Sequence, residues 1–200
     1  MKKILHVISS PRGNASYSIK LGKAIVEKIQ TEYAGSTVRE FDLVKKQFPH
    51  LEEAHLASFF TPIESRTIEH AASIKHSDEA IKEIADADII VIGAPVYNYN
   101  IHSSLKAWID HIVRAGITFK YDEAGPHGLL KGKKVYVAIA SGGVYSAGVM
   151  KTMDFVEPYL KTILGFIGLN DITIFRIEGT AIPELKDSAF ENGINSIHLN

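Results

Sequence analysis

The chain of 200 residues contains no cysteine. That excludes iron–sulfur clusters, thiol–disulfide exchange and a cysteine nucleophile. Thiolate zinc sites are excluded too, while histidine and carboxylate sites stay open. Any redox chemistry must therefore use a borrowed organic cofactor. An excess of charge is also missing. The chain carries 22 Lys and Arg against 23 Asp and Glu, a formal net charge of −1, so there is no basic footprint for nucleic acid. No run approaches the roughly 18 apolar residues of a membrane span. The opening MKKILHVISSPRG has the charge of a signal peptide, but its apolar stretch 4–8 is short and contains His6, so it reads as a strand. There is no internal repeat, low-complexity tract or linker-like shift in composition. The remainder is ordinary for a globular protein, 46% hydrophobic and 22% charged. It fits a single domain over 1–200, expected in the cytoplasm.

Strands alternate with helices. Segments 4–8, 38–43, 88–93, 135–140 and 172–177 read as strands, and the apolar run 89–92 suits a central strand covered on both faces. A helix is expected over 16–32, with Leu21, Ile25 and Ile29 on one face. Ser77-Asp78-Glu79 reads as the start of a second helix. Leu105, Trp108, Ile109, Ile112 and Val113 follow the full amphipathic template. Gly116 is the expected stop of that helix, and Asp110–Arg114 an exposed pair on it. Val156 to Ile167 reads as a further helix with Pro158 in its first turn, and 185–197 as a closing one. Such alternation predicts an α/β fold: a doubly wound, five-stranded parallel sheet with helices on both faces. Ligands of such sheets sit beyond the carboxyl ends of the strands, at the switch in strand order.

The loops at those ends are unusual. After the first strand, Ser9-Ser10-Pro11-Arg12-Gly13-Asn14-Ala15-Ser16-Tyr17-Ser18 feeds a helix N-terminus. It reads either as a phosphate cradle using the hydroxyls of Ser10, Ser16 and Ser18, or as a helix cap within a polar turn. Neither the Walker pattern nor the dinucleotide glycine fingerprint is present, which points to a monophosphate. After the third, Ala94-Pro95-Val96-Tyr97-Asn98-Tyr99-Asn100-Ile101-His102 brings aromatic and amide groups suited to a flat ring with a polar edge. A plain proline-set turn is the other reading. After the fourth, Ser141-Gly142-Gly143-Val144-Tyr145-Ser146-Ala147-Gly148 permits a close backbone approach, or is a flexible loop needing positive φ.

Together with Gly116-Ile117-Thr118-Phe119-Lys120-Tyr121, Gly125-Pro126-His127-Gly128-Leu129 and Leu164-Gly165-Phe166-Ile167-Gly168, these loops resemble the FMN-dependent NADH-azoreductases. That family is also described as FMN-dependent NADH:quinone oxidoreductases, and the resemblance runs over nearly the whole chain. It implies a flavodoxin-like fold and a homodimer with one non-covalent FMN per subunit. By matching position, Ser10, Ser16, Tyr17 and Ser18 correspond to the phosphate and ribityl contacts. Val96, Tyr97, Asn98, Tyr99, Ala140, Ser141, Gly142 and Gly143 correspond to the isoalloxazine contacts. Many members carry arginine where this chain has Ser141. The implied reaction uses NADH or NADPH as donor and a quinone or azo compound as acceptor, taken in turn at one site in a two-electron ping-pong scheme. Tyr121, Tyr145 and His127 are candidates for shaping the acceptor pocket.

The alternatives are a flavodoxin-type carrier that binds FMN without substrate turnover, and a flavin-free hydrolase. The near-neutral charge and the extra segment 44–74 argue against the carrier. No nucleophile–base pair supports the hydrolase. Phe59-Phe60, in that extra segment, reads as local core. The nine histidines lack metal-binding spacing and read as surface residues. The exception is His6, expected as a hydrogen-bonded core residue. Trp108 reads as core or interface.

Overall fold

The computed structural model describes residues 1–199. Its elements are β1 (Lys3–Ile8), α1 (Tyr17–Glu32), β2 (Thr37–Asp42), α2 (Glu53–Phe60), α3 (Ile68–Ser73), α4 (Lys75–Asp86), β3 (Ile89–Pro95) and α5 (Ser103–Ile112). They continue with β4 (Phe119–Asp122), β5 (Gly125–Gly128), β6 (Lys134–Ala140), α6 (Val156–Phe166), β7 (Asp171–Ile177) and α7 (Lys186–Asn195). Five strands form a parallel sheet in the order β2-β1-β3-β6-β7. The strand order reverses between β1 and β3, so the loops after these strands part and leave a crevice.

Alternation along the strands divides the core between two faces. Ile4, Ile89, Val91, Tyr136 and Phe175 pack under α1 and α7 with Leu21, Ile25 and Ile29. Leu5, Val7, Ile90, Ile92, Val135 and Val137 pack under α4, α5 and α6 with Ile84, Leu105, Trp108 and Leu160. Every residue of β3 is buried, because it lies mid-sheet with helices on both sides. Pro158 sits in the first turn of α6, where its missing N–H costs no helical bond.

Several expectations need correction. The helix expected to start at Ser77 begins at Lys75, and Ser77 and Asp78 serve a tertiary contact instead of a cap. The Ser77 hydroxyl is buried and donates to the His111 carbonyl. Arg114 Nη1 donates to Ser77 Oγ at 3.0 Å and pairs with Asp78. Arg114 is thus a buried residue, not half of an exposed pair. Asp110 takes Lys106, its neighbour one turn back. Gly116 lies beyond the helix stop, which falls at Ile112. Phe59 packs over the Arg114 guanidinium, 4.7 Å from ring centroid to Cζ, but Phe60 is 77% exposed. Adjacent residues point about 100° apart on a helix, so one ring of the pair reaches the core.

His55 and His111 are buried, not surface groups. His55 Nδ1 accepts the Glu52 N–H that opens α2. His111 Nε2 lies 3.0 Å from the Pro49 carbonyl. His6 is core, as expected, but Nε2 has no hydrogen-bond partner and Nδ1 approaches only Glu40, at 3.9 Å. Burial, aided by Lys23, pushes its pKa down to about 4. The hairpin β4–β5 was not read as strands, because its exposed residues Lys120, Tyr121 and Asp122 carry no buried pattern. It is held where Gly128 meets the Gly168 backbone. A Cβ at 128 would come within 2.0 Å of the Gly168 nitrogen.

Candidate functional site

Three loops surround one cleft at the carboxyl end of the sheet. Its lining is Arg12, Ser16, Tyr17, Ser18, Pro95, Val96, Tyr97, Ala140, Ser141, Gly142 and Thr180, around a cavity volume of about 70 Å³.

The first wall is a helix start. Ser16 caps α1 by accepting the Ile19 N–H at 3.4 Å. Its hydroxyl also lies 3.0 Å from that of Ser18. One of these two hydroxyl protons bridges the pair and the other is free for a ligand. The N–H groups of Tyr17 and Ser18 open the helix and have no intrahelical acceptor. Arg12 lines the same space and is exposed, with no ion pair among the described residues. Free hydroxyl, free amides and a cation meet at the positive end of a helix, the donor set that an anion requires. Both readings of Ser16 hold together: it caps the helix and faces the cleft. Ser10 is buried behind the wall, where its Oγ accepts the Arg12 N–H at 3.3 Å.

The second wall is a tight turn. Tyr97 and Asn100 exchange backbone bonds of 2.9 Å each way, and the residues between them, Asn98 and Tyr99, have φ of 49° and 64°. Two positive φ values at the centre define a type I′ turn. Asn tolerates that region, but Tyr does so at a cost. This turn does not rest on the proline. It projects Tyr97 into the cleft and leaves Tyr99 exposed.

The third wall is built from main chain. The carbonyls of Ser141, Gly142 and Gly143 accept N–H groups of Thr180, Ala181 and Gly179 at 3.3, 3.0 and 3.1 Å. The Ser141 hydroxyl donates to the Gly143 carbonyl at 2.7 Å. With those carbonyls turned towards 179–181, the N–H groups of Gly142 and Gly143 are left without a partner among the described residues. Neither glycine has positive φ; the segment's positive φ falls on Gly148, at 67°. A Cβ at Gly142 would sit 3.2 Å from the Ala181 methyl, and one at Gly143 3.2 Å from the Tyr145 ring. The constraint is close packing.

The structure therefore brings Ser16, Tyr17, Ser18, Val96, Tyr97, Ala140, Ser141 and Gly142 to one cleft. Asn98 lines an adjoining opening of about 500 Å³ together with Tyr97, Ile101, His102, Lys106 and Tyr159. Gly143 continues the third wall next to the lining residues, and Tyr99 and Tyr145 meet edge-on, centroids 6.0 Å apart. Tyr121 and His127 lie on the hairpin outside the cleft lining, with His127 bonded to Asp122 at 2.8 Å. Arg12, Pro95, Thr180 and His102 were not singled out from sequence. Thr180 follows the fifth strand at the same end of the sheet, and the rule applied to the other strands would have reached it. His102 caps α5 through Nδ1, which accepts the Ser104 N–H at 3.2 Å. Its ring meets Tyr97 at 5.6 Å, and burial lowers its pKa.

No group of three metal-ligating side chains exists among the described residues, and none of their helices is long and apolar enough to cross a membrane. Fold and cleft define a doubly wound protein with a site for a planar group bearing an anionic tail. The family model for the flavodoxin-like fold matches residues 2–198, and the chain belongs to that family. It is 51% identical over 182 residues to an FMN-dependent NADH:quinone oxidoreductase of Herminiimonas arsenicoxydans, covering 91% of this chain and 89% of that protein. A protein of Rhizobium etli named FMN-dependent NADH:quinone oxidoreductase 1 is 45% identical over 94% of this chain and 93% of its own length. Among solved structures, an FMN-dependent NADH-azoreductase from Bacillus anthracis in complex with FMN superposes with a TM-score of 0.84. It shares 30% identity, with 98% of this chain and 97% of that one covered.

Proposed function

We propose that this chain is an FMN-dependent NAD(P)H oxidoreductase that reduces quinones and azo compounds. The observation that carries this reading is the cleft itself: free donors at the start of α1 converge with an aromatic turn and a wall of main-chain amides. The relatives named above share most of its length. Nothing favours a flavodoxin-type carrier.

The donor set fits FMN. The hydroxyls of Ser16 and Ser18, the free N–H groups of Tyr17 and Ser18, and Arg12 would hold a phosphate. Ser10 would support them from behind. Val96, Tyr97, Asn98 and Tyr99 would hold one edge of the ring, and Ala140, Ser141, Gly142 and Gly143 the other. Bound FMN supplies two-electron chemistry between NADH or NADPH and the acceptor. The protein binds the phosphate, orients the ring edge with main-chain N–H groups, and keeps those donors preorganised so that developing negative charge meets them without rearrangement. Tyr145, Tyr121 and His127 shape the acceptor's approach, the last two from the hairpin.

Donor and acceptor take the same place in turn. The protein acts in the cytoplasm as a homodimer, a reading supported by the exposure of Phe60, Ile63 and Ile68 at 77%, 76% and 84% along the segment before α4. Purified protein titrated with FMN should take up one equivalent. NADH added without oxygen should bleach the flavin band, and initial-rate lines at varied acceptor should run parallel. Absence of FMN uptake would refute the cofactor reading, and intersecting lines would refute the shared site.

A further inference from the structure

The third wall is tied down from a distance. At the end of β7, Glu178 is nearly buried, with 11% of its side chain exposed. Its Oε1 accepts the N–H of Tyr145 at 2.8 Å and of Ser146 at 3.1 Å. The same oxygen accepts Arg176 Nη1 at 3.2 Å. Arg176 reaches on through Nη2 to Asp154 and Glu157. Arg176 and Glu178 thus bind the interior of the excursion between β6 and α6 and its far end.

The proposed flavin contacts at 142–143 lie just before the residues that Glu178 holds. Bonds to 179–181 hold the carbonyls of 141–143 on one side. Glu178 holds the Tyr145 and Ser146 amides just beyond, so the Gly142–Gly143 segment is restrained from both sides. The same bond holds the Tyr145 backbone, from which the ring extends. It packs within 3.2 Å of the Cβ position of Gly143 and edge-on to Tyr99. A carboxylate accepting two backbone N–H groups away from bulk water is among the stronger neutral-to-charged arrangements.

We infer that Glu178 is a positioning residue for FMN: by holding the Tyr145 and Ser146 amides it aims the Gly142–Gly143 donors at the ring and sets Tyr145 beside Tyr99. The inference rests on the cofactor reading above and assigns Glu178 no contact with substrate or flavin. What matters is an acceptor oxygen at the right reach, not the charge. Glu178→Gln keeps such an oxygen at the same distance. Glu178→Asp keeps the charge but withdraws the oxygen by one methylene. Glu178→Ala removes it.

The test is FMN affinity by quenching of flavin fluorescence, with urea unfolding of the FMN-free proteins run in parallel. The Ala variant should bind FMN about tenfold more weakly or worse, Asp should fall between, and Gln should stay within about threefold of the parent. The order Gln above Asp decides the matter even if the Ala variant does not fold. Wild-type affinity in both Ala and Asp would overturn the inference, as would Asp retaining affinity while Gln loses it. Failure of the parent chain to bind FMN would overturn the cofactor reading instead, a separate outcome.

Discussion

Two halves of the cleft are made from different materials. Around β1 and α1 the donors are side chains: two serine hydroxyls and an arginine at a helix start. Around β6 and β7 they are main-chain amides, aimed by bonds on their far side. The first half can be altered by changing the residue that touches the ligand. The second has almost no side chain to change, and yields only through its supports. A charged tail with many possible partners suits the first design. A rigid ring edge that needs fixed donor directions suits the second.

The sharpest way to break the contrast is in the first half. Ser16→Ala with Ser18→Ala removes the pair's free hydroxyl, a hydrogen bond to a charged group worth about 1.5–3 kcal/mol, so FMN should bind at least about tenfold more weakly. Because Ser16 also caps α1, the FMN-free protein should lose about 1 kcal/mol in urea unfolding. Unchanged FMN affinity would remove the phosphate from this wall.

Acid separates the two halves next. His6 sits beneath α1 with its pKa lowered to about 4 by burial and Lys23. The native state then binds fewer protons than the unfolded chain between about pH 6.5 and 4. The stability this represents is complete above that window and declines as pH falls through it. Moving from pH 7 to pH 5 should cost about 2 kcal/mol through this residue. The support of the other half loses stability in the same direction, but only at lower pH. Burial raises the Glu157 pKa, but bonds from Lys161 and Arg176 outweigh it and leave it below the usual carboxylate value. Its contribution persists through pH 5 and declines only as pH falls through the carboxylate range. Urea unfolding at the two pH values, for the parent and for His6→Val, should show a steeper loss in the parent. Equal losses would sink the assignment to His6.

The smallest effect belongs to the turn that joins the halves. Asn98 has φ of 49°, where a β-branched residue is strained. Asn98→Val should lower stability by about 1–2 kcal/mol, read as an earlier thermal transition. An unchanged transition would mean the turn adopts another form.

The sheet was legible in the sequence because β3 and β6 carry apolar runs and β1 one interrupted only by His6, and the serines of the first loop were legible because hydroxyls beside a helix start are visible as letters. The rest depended on distant partners. Nothing near Arg114 in sequence announces Ser77 and Asp78, so its own helix offered Asp110 as the obvious mate. Glu178 looks like any charged residue after a strand until the Tyr145 amide is found against it. The hairpin β4–β5 is anchored through Gly128 on the Gly168 backbone, a contact without side chains on either partner.

One crossing point constrains how such a chain can diverge. A Cβ on Gly22 would lie 2.5 Å from His6 Nε2, so helix and strand meet there by shape alone. A descendant that gains a side chain at 22 must first shrink position 6, and the imidazole can be exchanged only while 22 stays bare. The two positions are bound to drift as a couple, and their correlated history should outlast that of the exposed residues around them.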